Sequence, residues 1–346
     1  MIPSPDISKI YDGSGPVITA IDSHTEGEVT RLIVDGIPDI PGNTMMEKLT
    51  CFKTRHDDVR CLLTKEPRGS RQVLAALVTA PVSQDAAFGL IYMDARRYPF
   101  LCGHATIGAV TTLARTGTLS LEEGENRVDI DTPSGTMHAL AQVQNGRITS
   151  VSITMVPSFV LATDQQIQVE GFGPIFVDLV CTGGFFAMVD TGQINLAPVL
   201  ENKAVLVDLG MKIIDAANAQ LTVVHPERPD VNTVDVTEFY ASATRDGHSE
   251  GRGMVVYGES HMDRSPCGTG TAAKLALLHH RKKIALHQPY INASPLGTTF
   301  GAELVEETHI GTVKACVTRI TGKAWITGVH HFIVEPTDPF QQGYLV

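Results

Sequence analysis

The sequence has few of the residues that mark several large classes of protein. Six cysteines among 346 residues are too few for a disulfide-stabilised scaffold, and they form neither a C-x-x-C pair nor a spacing typical of zinc ligands. No apolar run approaches the roughly 20 residues that a membrane span needs. The N-terminus lacks the basic and then apolar segments of a signal peptide. We therefore expect a cytoplasmic protein with no membrane partner, and these spacings indicate no metal site.

Positive charge is also scarce. The chain carries 27 Lys and Arg against 38 Asp and Glu, so that its formal net charge is −11. This acidic balance argues against nucleic acid as a partner, because binding to phosphates depends on clustered positive charge. The hydrophobic fraction of 43% supports a large core, and the length favours two domains over one.

Strand-like runs separated by Gly, Pro and Asp occupy most of the chain and predict sheet-rich domains. One such run is "VRCLLTKEPRG" at 59–69, which the same pattern predicts as a strand. Helices are predicted at about 103–116, ended by Gly117, and within 201–220, where apolar residues recur at helical spacing. A change of composition in the segment 116–135 predicts a surface connection, with a domain boundary near residue 125.

Two matched motifs stand 165 residues apart. "LCGHATIG" contains Cys102-Gly103-x-x-Thr106, and "DRSPCGTGTAAKLA" contains Cys267-Gly268-x-x-Thr271. Each precedes a run of small and apolar residues that predicts a buried helix. The repetition indicates a weak internal duplication, in which each half places a cysteine at the N-terminus of its helix.

A cysteine in this position has chemical uses. The first N–H groups of a helix lack partners and carry about half a positive charge, which favours a thiolate and also binds a carboxylate. We therefore expect the pKa of these thiols to lie below the usual ~8.5. Two helix N-termini that face each other across a cleft would hold a carboxylate with a thiol on either side. One thiolate and one thiol could then invert an α-carbon without a cofactor, as in an amino-acid racemase or epimerase.

Other interpretations fit parts of the pattern. A single cysteine at a helix start is more often a small buried residue than a catalyst, but two cysteines in one repeated motif favour the catalyst. Gly268 to Ala273 also match the dinucleotide fingerprint G-x-G-x-x-A, although Pro266 interrupts the preceding strand and no acidic residue follows at the required distance. A non-catalytic amino-acid-binding protein would tolerate loss of the thiols. A redox protein would form a reversible disulfide between Cys102 and Cys267.

At these motifs the sequence resembles the proline racemase family, and the similarity extends over almost the whole chain. It includes "IDSHTEGEVTRLIVDGIP" at 21–38, "EPRG" at 66–69 and "GGFFA" at 183–187. The resemblance implies an α/β (α+β) fold like that of diaminopimelate epimerase, with two similar domains and an active site in the cleft between them. In each domain a mixed sheet would wrap around a central helix.

The resemblance also assigns residues to the domains and to the site. The first domain would comprise 1–125, with a C-terminal strand in about 325–346 returning to it, and the second 126–324. Cys102 and Cys267 would be the two bases of a cofactor-independent reaction. His104 and Asp263 would hold the ring nitrogen of the substrate and steady the thiols. The residues whose backbone N–H groups would bind the substrate carboxylate are Gly103, His104, Gly268 and Thr269. A homodimer is expected by the same resemblance.

The family divides by substrate. Members that dehydrate trans-3-hydroxy-L-proline commonly have threonine at the position of Cys267, so the cysteine favours a racemase or epimerase. Proline racemases tend to have phenylalanine where this chain has Leu74 and Tyr257. The Tyr257 hydroxyl could meet a 4-hydroxyl group on the substrate or could point to water. The substrate is therefore expected to be proline or 4-hydroxyproline, with 3-hydroxyproline dehydration as the alternative.

Overall fold

A computed structural model describes residues 17–245, 248–258 and 260–345. In this part of the chain the strands are β1 Val17–Thr25, β2 Glu28–Asp35, β3 Leu74–Thr79, β4 Phe88–Met93, β5 Gly124–Thr132, β6 Gly135–Gln144, β7 Arg147–Thr154, β8 Ser158–Val169, β9 Gly173–Thr182, β10 Gly184–Asp190, β11 Val234–Arg245, β12 His248–Tyr257, β13 His261–Met262, β14 Tyr290–Ala293, β15 Thr299–Ile310, β16 Val313–Gly322 and β17 Ala324–Ile333. The α-helices are α1 Met45–Arg55, α2 Asp57–Thr64, α3 Gly103–Arg115, α4 Lys203–Gln220 and α5 Gly268–His280.

The first half of the fold is a mixed sheet around α3. β1 pairs antiparallel with β17 and β2, β2 pairs parallel with β3, and β4 pairs parallel with β5. The antiparallel pairs β3–β4, β5–β6 and β6–β7 complete this sheet. The α3 residues from Ala105 to Leu113 are all buried. A helix that is apolar or small on every side is stable only when it is enclosed, as α3 is here.

The second half encloses α5 in a closed ring of strands. The pairs run from β8 through β9, β10, β11, β12, β14 and β15 to β16, and β16 pairs back onto β8 through Ala315 and Cys316. β16 also pairs with β7 through Arg319–Gly322, which joins the ring to the first sheet. As in α3, nearly every residue of α5 is buried. The predicted arrangement of mixed sheets around two central helices is confirmed.

The remaining helices cover the outside of the sheets. α4 packs with β8 and β11 through Leu206, Leu209 and Ile213, in a core separate from the one that contains α3 and α5. The helices predicted at 103–116 and within 201–220 are confirmed by α3 and α4. Among the residues that the structure describes, no helix is long and apolar enough to cross a membrane.

Two local predictions were wrong. Residues 57–64 form α2 and not a strand. Arg60 bonds to Asp57 three residues earlier and Thr64 Oγ1 donates to the Arg60 carbonyl four residues earlier, contacts that a helix brings together and a strand does not. The segment 116–135, predicted as a surface connection, contains β5. Ile130 and Asp131 of β5 pair with Phe88 and Gly89 of β4. Sheet pairing thus places residues 124–154 with the first half. The division into domains near residue 125 stays a prediction.

Candidate active site

The two cysteines of the repeated motif occupy equivalent positions in the structure. Cys102 is the N-cap residue of α3, and Cys267 is the N-cap residue of α5. Cys102 is partly buried, whereas Cys267 is buried with 6% of its surface exposed. In both motifs the threonine four residues after the cysteine donates a hydrogen bond to a backbone carbonyl at the start of the helix. Thr106 Oγ1 donates to Cys102 O, and Thr271 Oγ1 donates to Pro266 O.

The two helix N-termini converge on one side chain, that of Met155. A Cβ atom added to Gly103 would lie 3.9 Å from the Met155 sulfur, and one added to Gly268 would lie 3.8 Å from the same atom. Met155 is 3% exposed and follows β7, where the two halves of the sheet join. The structure therefore brings the two motifs, which are 165 residues apart in sequence, to one place.

Backbone N–H donors are available at both helix starts. The N–H groups of Gly103, His104, Gly268 and Thr269 have no hydrogen-bond partner among the described residues. These are the four residues predicted to bind a carboxylate. Two sets of free donors and two positive helix ends create a site suited to an anion.

His104 contacts the first thiol directly. Its Nδ1 lies 3.3 Å from Cys102 Sγ, and its backbone carbonyl accepts a hydrogen bond of 2.8 Å from Thr25 Oγ1. Burial opposes protonation of the imidazole, but the Cys102 thiolate and the carboxylates of Glu28 and Asp263 outweigh it and raise the pKa of His104 to about 9. The arrangement therefore favours an imidazolium at neutral pH, within hydrogen-bonding distance of the Cys102 sulfur.

This pair gives a direct test by NMR. The imidazole resonance of His104 is expected to titrate near pH 9 in the wild-type protein, and to titrate at a lower pH in Cys102→Ser because the thiolate is gone. Replacing Cys316, which is buried in the second half, should leave the His104 titration unchanged. An equal midpoint in wild type and Cys102→Ser would contradict the pairing.

Asp263 shapes the turn that carries the second thiol. Its Oδ1 accepts hydrogen bonds of 2.8 Å from both the backbone N–H and the hydroxyl of Ser265, and Ser265 Oγ accepts the N–H of Cys267 at 3.1 Å. Cys267 is held at φ +59°, a left-handed conformation that is rare for a residue with a side chain. Asp263 Oδ2 makes no hydrogen bond to the described residues and is available to a substrate nitrogen.

The expected lowering of both thiol pKa values is not found at Cys267. Burial and the nearby Asp263 raise its pKa well above the usual range, although Thr269 Oγ1 and the Gly270 N–H, each 3.4 Å from Sγ, favour the thiolate. Enclosure of the thiol therefore outweighs the helix N-terminus. The shared motif is therefore not sufficient to lower the pKa of a thiol.

Sequence reasoning missed a buried ion pair at the edge of this site. Glu28 is 2% exposed, and both of its oxygens accept hydrogen bonds of 2.9 Å from the Arg264 guanidinium. Burial alone would raise the pKa of Glu28, but hydrogen bonds from His261 and Arg264 lower it to about 2. A glutamate at the start of a strand-like run was the available signal, because such residues are seldom buried without a partner.

Leu74 and Tyr257 lie together at a neighbouring cavity of about 210 Å³. Glu28, His104 and His261 also line it, so the cavity adjoins the first thiol. The rings of Tyr257 and His261 meet edge to face with centroids 4.8 Å apart. Tyr257 also interacts electrostatically with both cysteines and with Asp263.

The structure thus brings all nine residues predicted for the site into one region. They are Leu74, Cys102, Gly103, His104, Tyr257, Asp263, Cys267, Gly268 and Thr269. No group of three or more His, Cys, Asp or Glu side chains within the described ranges is placed to hold a metal ion.

Sequence comparison finds relatives that match nearly the full length of the chain. The family profile described as "Proline racemase" matches residues 20–345. A proline racemase of Clostridioides difficile is 38% identical over 331 residues, which cover 95% of this chain and 98% of the relative. A 4-hydroxyproline 2-epimerase of Streptosporangium roseum is also 38% identical, over 330 residues, with the same coverage of both chains.

A solved structure agrees with these relatives. The crystal structure of a hydroxyproline epimerase from Agrobacterium vitis, with bound trans-4-hydroxy-L-proline, matches with a TM-score of 0.84 at 31% identity and covers 96% of each chain. The match confirms the predicted fold class. The family profile, the identities and this structure together show that the chain belongs to the proline racemase family.

Proposed function

We propose that this protein is a cofactor-independent racemase or epimerase that inverts the α-carbon of proline or 4-hydroxyproline. The observation that carries the proposal is the convergence of two cysteine-capped helices on Met155, with four free N–H donors around the thiols. The relatives named for racemisation and epimerisation support the same reaction. Cys102 and Cys267 are its two bases, one on each face of the α-carbon.

The proposed reaction moves one proton onto the enzyme and another off it. A thiolate removes the Cα proton, and the electron pair of that C–H bond passes into the carboxylate of the substrate. The opposite thiol then donates its proton to the other face of Cα and becomes the thiolate. The N–H groups of Gly103, His104, Gly268 and Thr269 bind the carboxylate and stabilise the charge that develops on it. Asp263 Oδ2 binds the ring nitrogen.

Tyr257 is proposed to recognise a 4-hydroxyl group. Its ring is partly buried beside His261, and its hydroxyl has no hydrogen-bond partner among the described residues. Burial and the charges of Asp263 and Glu28 raise its pKa, so the phenol stays protonated and can both donate and accept. A site built around such a bond discriminates strongly against an analogue that lacks the hydroxyl.

Replacing Tyr257 with phenylalanine tests this assignment. We expect kcat/KM for trans-4-hydroxy-L-proline to fall by about tenfold, the worth of one hydrogen bond, while kcat/KM for L-proline is unchanged or rises. Steady-state polarimetry with both substrates measures the ratio. Tyr344→Phe, at an exposed ring in the C-terminal segment, is the matched control. An unchanged ratio in Tyr257→Phe would place the hydroxyl outside the recognition of substrate.

Proton NMR in D2O tests the reaction itself. The purified protein is incubated separately with L-proline, trans-4-hydroxy-L-proline and trans-3-hydroxy-L-proline. Loss of the Cα–H signal with growth of the opposite stereoisomer at Cα identifies both the reaction and the substrate. Loss of water from the 3-hydroxy compound would instead assign the protein to the dehydratases. Silence with all three substrates would reject the proposal and favour a binding or redox role.

Three further proposals follow from the sequence and the family. These are a cytoplasmic location, a homodimer, and the division into domains near residue 125. Light scattering on the purified protein tests the homodimer, and limited proteolysis tests the domain boundary.

A further inference from the structure

A second cavity lies at the C-terminal end of α3, away from the two thiols. Its volume is about 590 Å³, within the range of roughly 300–1,000 Å³ that small-molecule sites occupy. Since α3 spans 13 residues, this end lies roughly 18 Å along the helix from the N-terminus that carries Cys102. No described residue lines both this cavity and the one beside Tyr257. The lining of this α3 cavity includes Arg115, Leu119, Leu121, Arg147, Ile148 and Trp325.

The base of the α3 cavity is apolar. Leu119, Leu121 and Ile148 pack against the main core of the protein but are only partly buried, and all three line the cavity. A ligand that covers these side chains removes apolar surface from water, which is favourable. The cavity therefore suits a molecule with an apolar part.

Trp325 forms one wall of the α3 cavity and is the single tryptophan of the chain. It stands on β17 with 42% of its surface exposed. The ring of His24 stacks against the indole, with centroids 5.1 Å apart and an angle of 23° between the planes. His24 is held in turn by the N–H of Gly27, which donates to Nδ1 at 3.2 Å. The indole is therefore supported from β1, while much of its surface is open to a flat ring.

Two arginines stand at the rim of the same cavity. Arg115 is in the last turn of α3 and Arg147 begins β7, and both residues are exposed. Neither guanidinium makes a hydrogen bond or an ion pair with the described residues. The carboxylate of Glu123, which also lines the cavity, is already engaged, because its two oxygens accept the N–H groups of Asn145 and Gly146 at 2.8 and 3.1 Å. The positive charge of both arginines is therefore available to an anionic ligand.

The fold alone does not account for both arginines. Arg115 complements the negative end of α3, as a basic residue in a last turn does. Arg147 has no such role, because it begins a strand. The chain has 38 Asp and Glu against 27 Lys and Arg, yet neither arginine has an acidic partner among the described residues. An apolar base, an exposed indole and two cationic side chains in one cavity are what a ligand with matching groups requires.

We propose that the α3 cavity is a binding site for a small molecule in which an aromatic ring carries a carboxylate or a phosphate. The ring lies against Trp325 and the apolar base of the cavity. The anionic group lies between Arg115 and Arg147. Binding is non-covalent, and the inference is independent of the reaction proposed for Cys102 and Cys267.

The fluorescence of Trp325 reports on this site, because the chain has no other tryptophan. The whole protein is excited at the indole and titrated with adenosine monophosphate and with benzoate, which carry a phosphate and a carboxylate respectively. We expect a saturable change of emission with at least one of them, and the one that binds identifies the anionic group. Adenosine, benzamide and inorganic phosphate lack either the charge or the ring and should bind about tenfold more weakly.

Variants of the rim and of the wall test each contact. Arg115→Gln/Arg147→Gln should weaken binding by about a hundredfold, since the loss of each charge-assisted hydrogen bond costs about tenfold. Arg55→Gln is the matched control, because Arg55 is likewise exposed in the last turn of a helix, α1, and should leave the affinity unchanged. Trp325→Leu, followed by calorimetry because the indole is gone, should weaken binding by about tenfold.

Three results would overturn the inference. The first is no saturable change of emission with either aromatic anion. The second is an affinity in Arg115→Gln/Arg147→Gln equal to that of wild type, which would place the ligand elsewhere on the protein. The third is binding of adenosine or benzamide as tight as that of its charged counterpart, which would leave the two arginines without a role.

Discussion

Replacing either Cys102 or Cys267 with serine is expected to lower the rate of inversion at Cα by at least ~10³-fold. Each thiol serves as base for one isomer and as acid for the other, and a serine hydroxyl is far too weak a base to replace it. Exchange of the Cα proton for deuterium distinguishes the roles of the two thiols. In D2O each single variant should still exchange the Cα proton of one isomer through its remaining thiol, without forming the other isomer. The isomer that exchanges should differ between the two variants.

Cys316→Ser is the matched control for this experiment. Cys316 is a buried thiol on β16 that is 3% exposed, and burial raises its pKa, as at Cys267. Its loss should leave inversion within about twofold of wild type, because it lies in the core away from the N-termini of α3 and α5. Full inversion by either Cys102→Ser or Cys267→Ser would contradict a mechanism with one thiol on each face.

The elements nearest the motifs were predictable from sequence because their signals are local. Cysteine-glycine at a helix start and a run of small residues specify α3 and α5 without reference to the rest of the chain. The helix α2 was not predicted, because a run as short as Val59 to Thr64 is compatible with a strand or a helix, and contacts made elsewhere in the fold decide between them. β5 was missed for a related reason, since its pairing with β4 compensates for a polar composition that favours a connection.

The same distinction applies to the site. The repeated motif supplied Cys102, the resemblance to a family supplied His104, Asp263 and Tyr257, and the structure brings them together. The resemblance could not supply the pKa of a thiol, which depends on enclosure by side chains from distant segments. Cys102 and Cys267 share the motif Cys-Gly-x-x-Thr, yet burial raises the pKa of Cys267 and an imidazole lies beside Cys102. Local sequence therefore identifies the chemical groups, and tertiary packing determines their charge.

Replacing Arg264 is expected to cause a large loss of stability near the site. Arg264→Met would leave the Glu28 carboxylate buried, with the His104 imidazolium as its nearby positive charge and His261 Nε2 at 3.6 Å. Breaking a buried ion pair on one side costs about 3–5 kcal/mol, and we expect a loss near ~3 kcal/mol in the free energy of unfolding because the attraction between Glu28 and His104 remains. Arg264 also donates to Gln72 Oε1 and O, so the change loosens the contact between the two halves. Denaturant titration measures the loss.

The double variant Glu28→Gln/Arg264→Met should recover much of this stability, because it leaves no buried charge without a partner. Arg319→Met is the control for loss of an ion pair, since Arg319 and Glu303 are both more than 30% exposed and such pairs contribute about 0–1 kcal/mol.

The pH dependence gives an independent check. Because hydrogen bonds lower the pKa of Glu28 from 4.5 to about 2, its contribution is present above pH 4.5 and is lost as pH falls through about 2. The stability difference between wild type and Glu28→Gln should therefore shrink across that window. A difference that stays constant from neutral pH to pH 2 would show that the Glu28 carboxylate is not held ionised by Arg264.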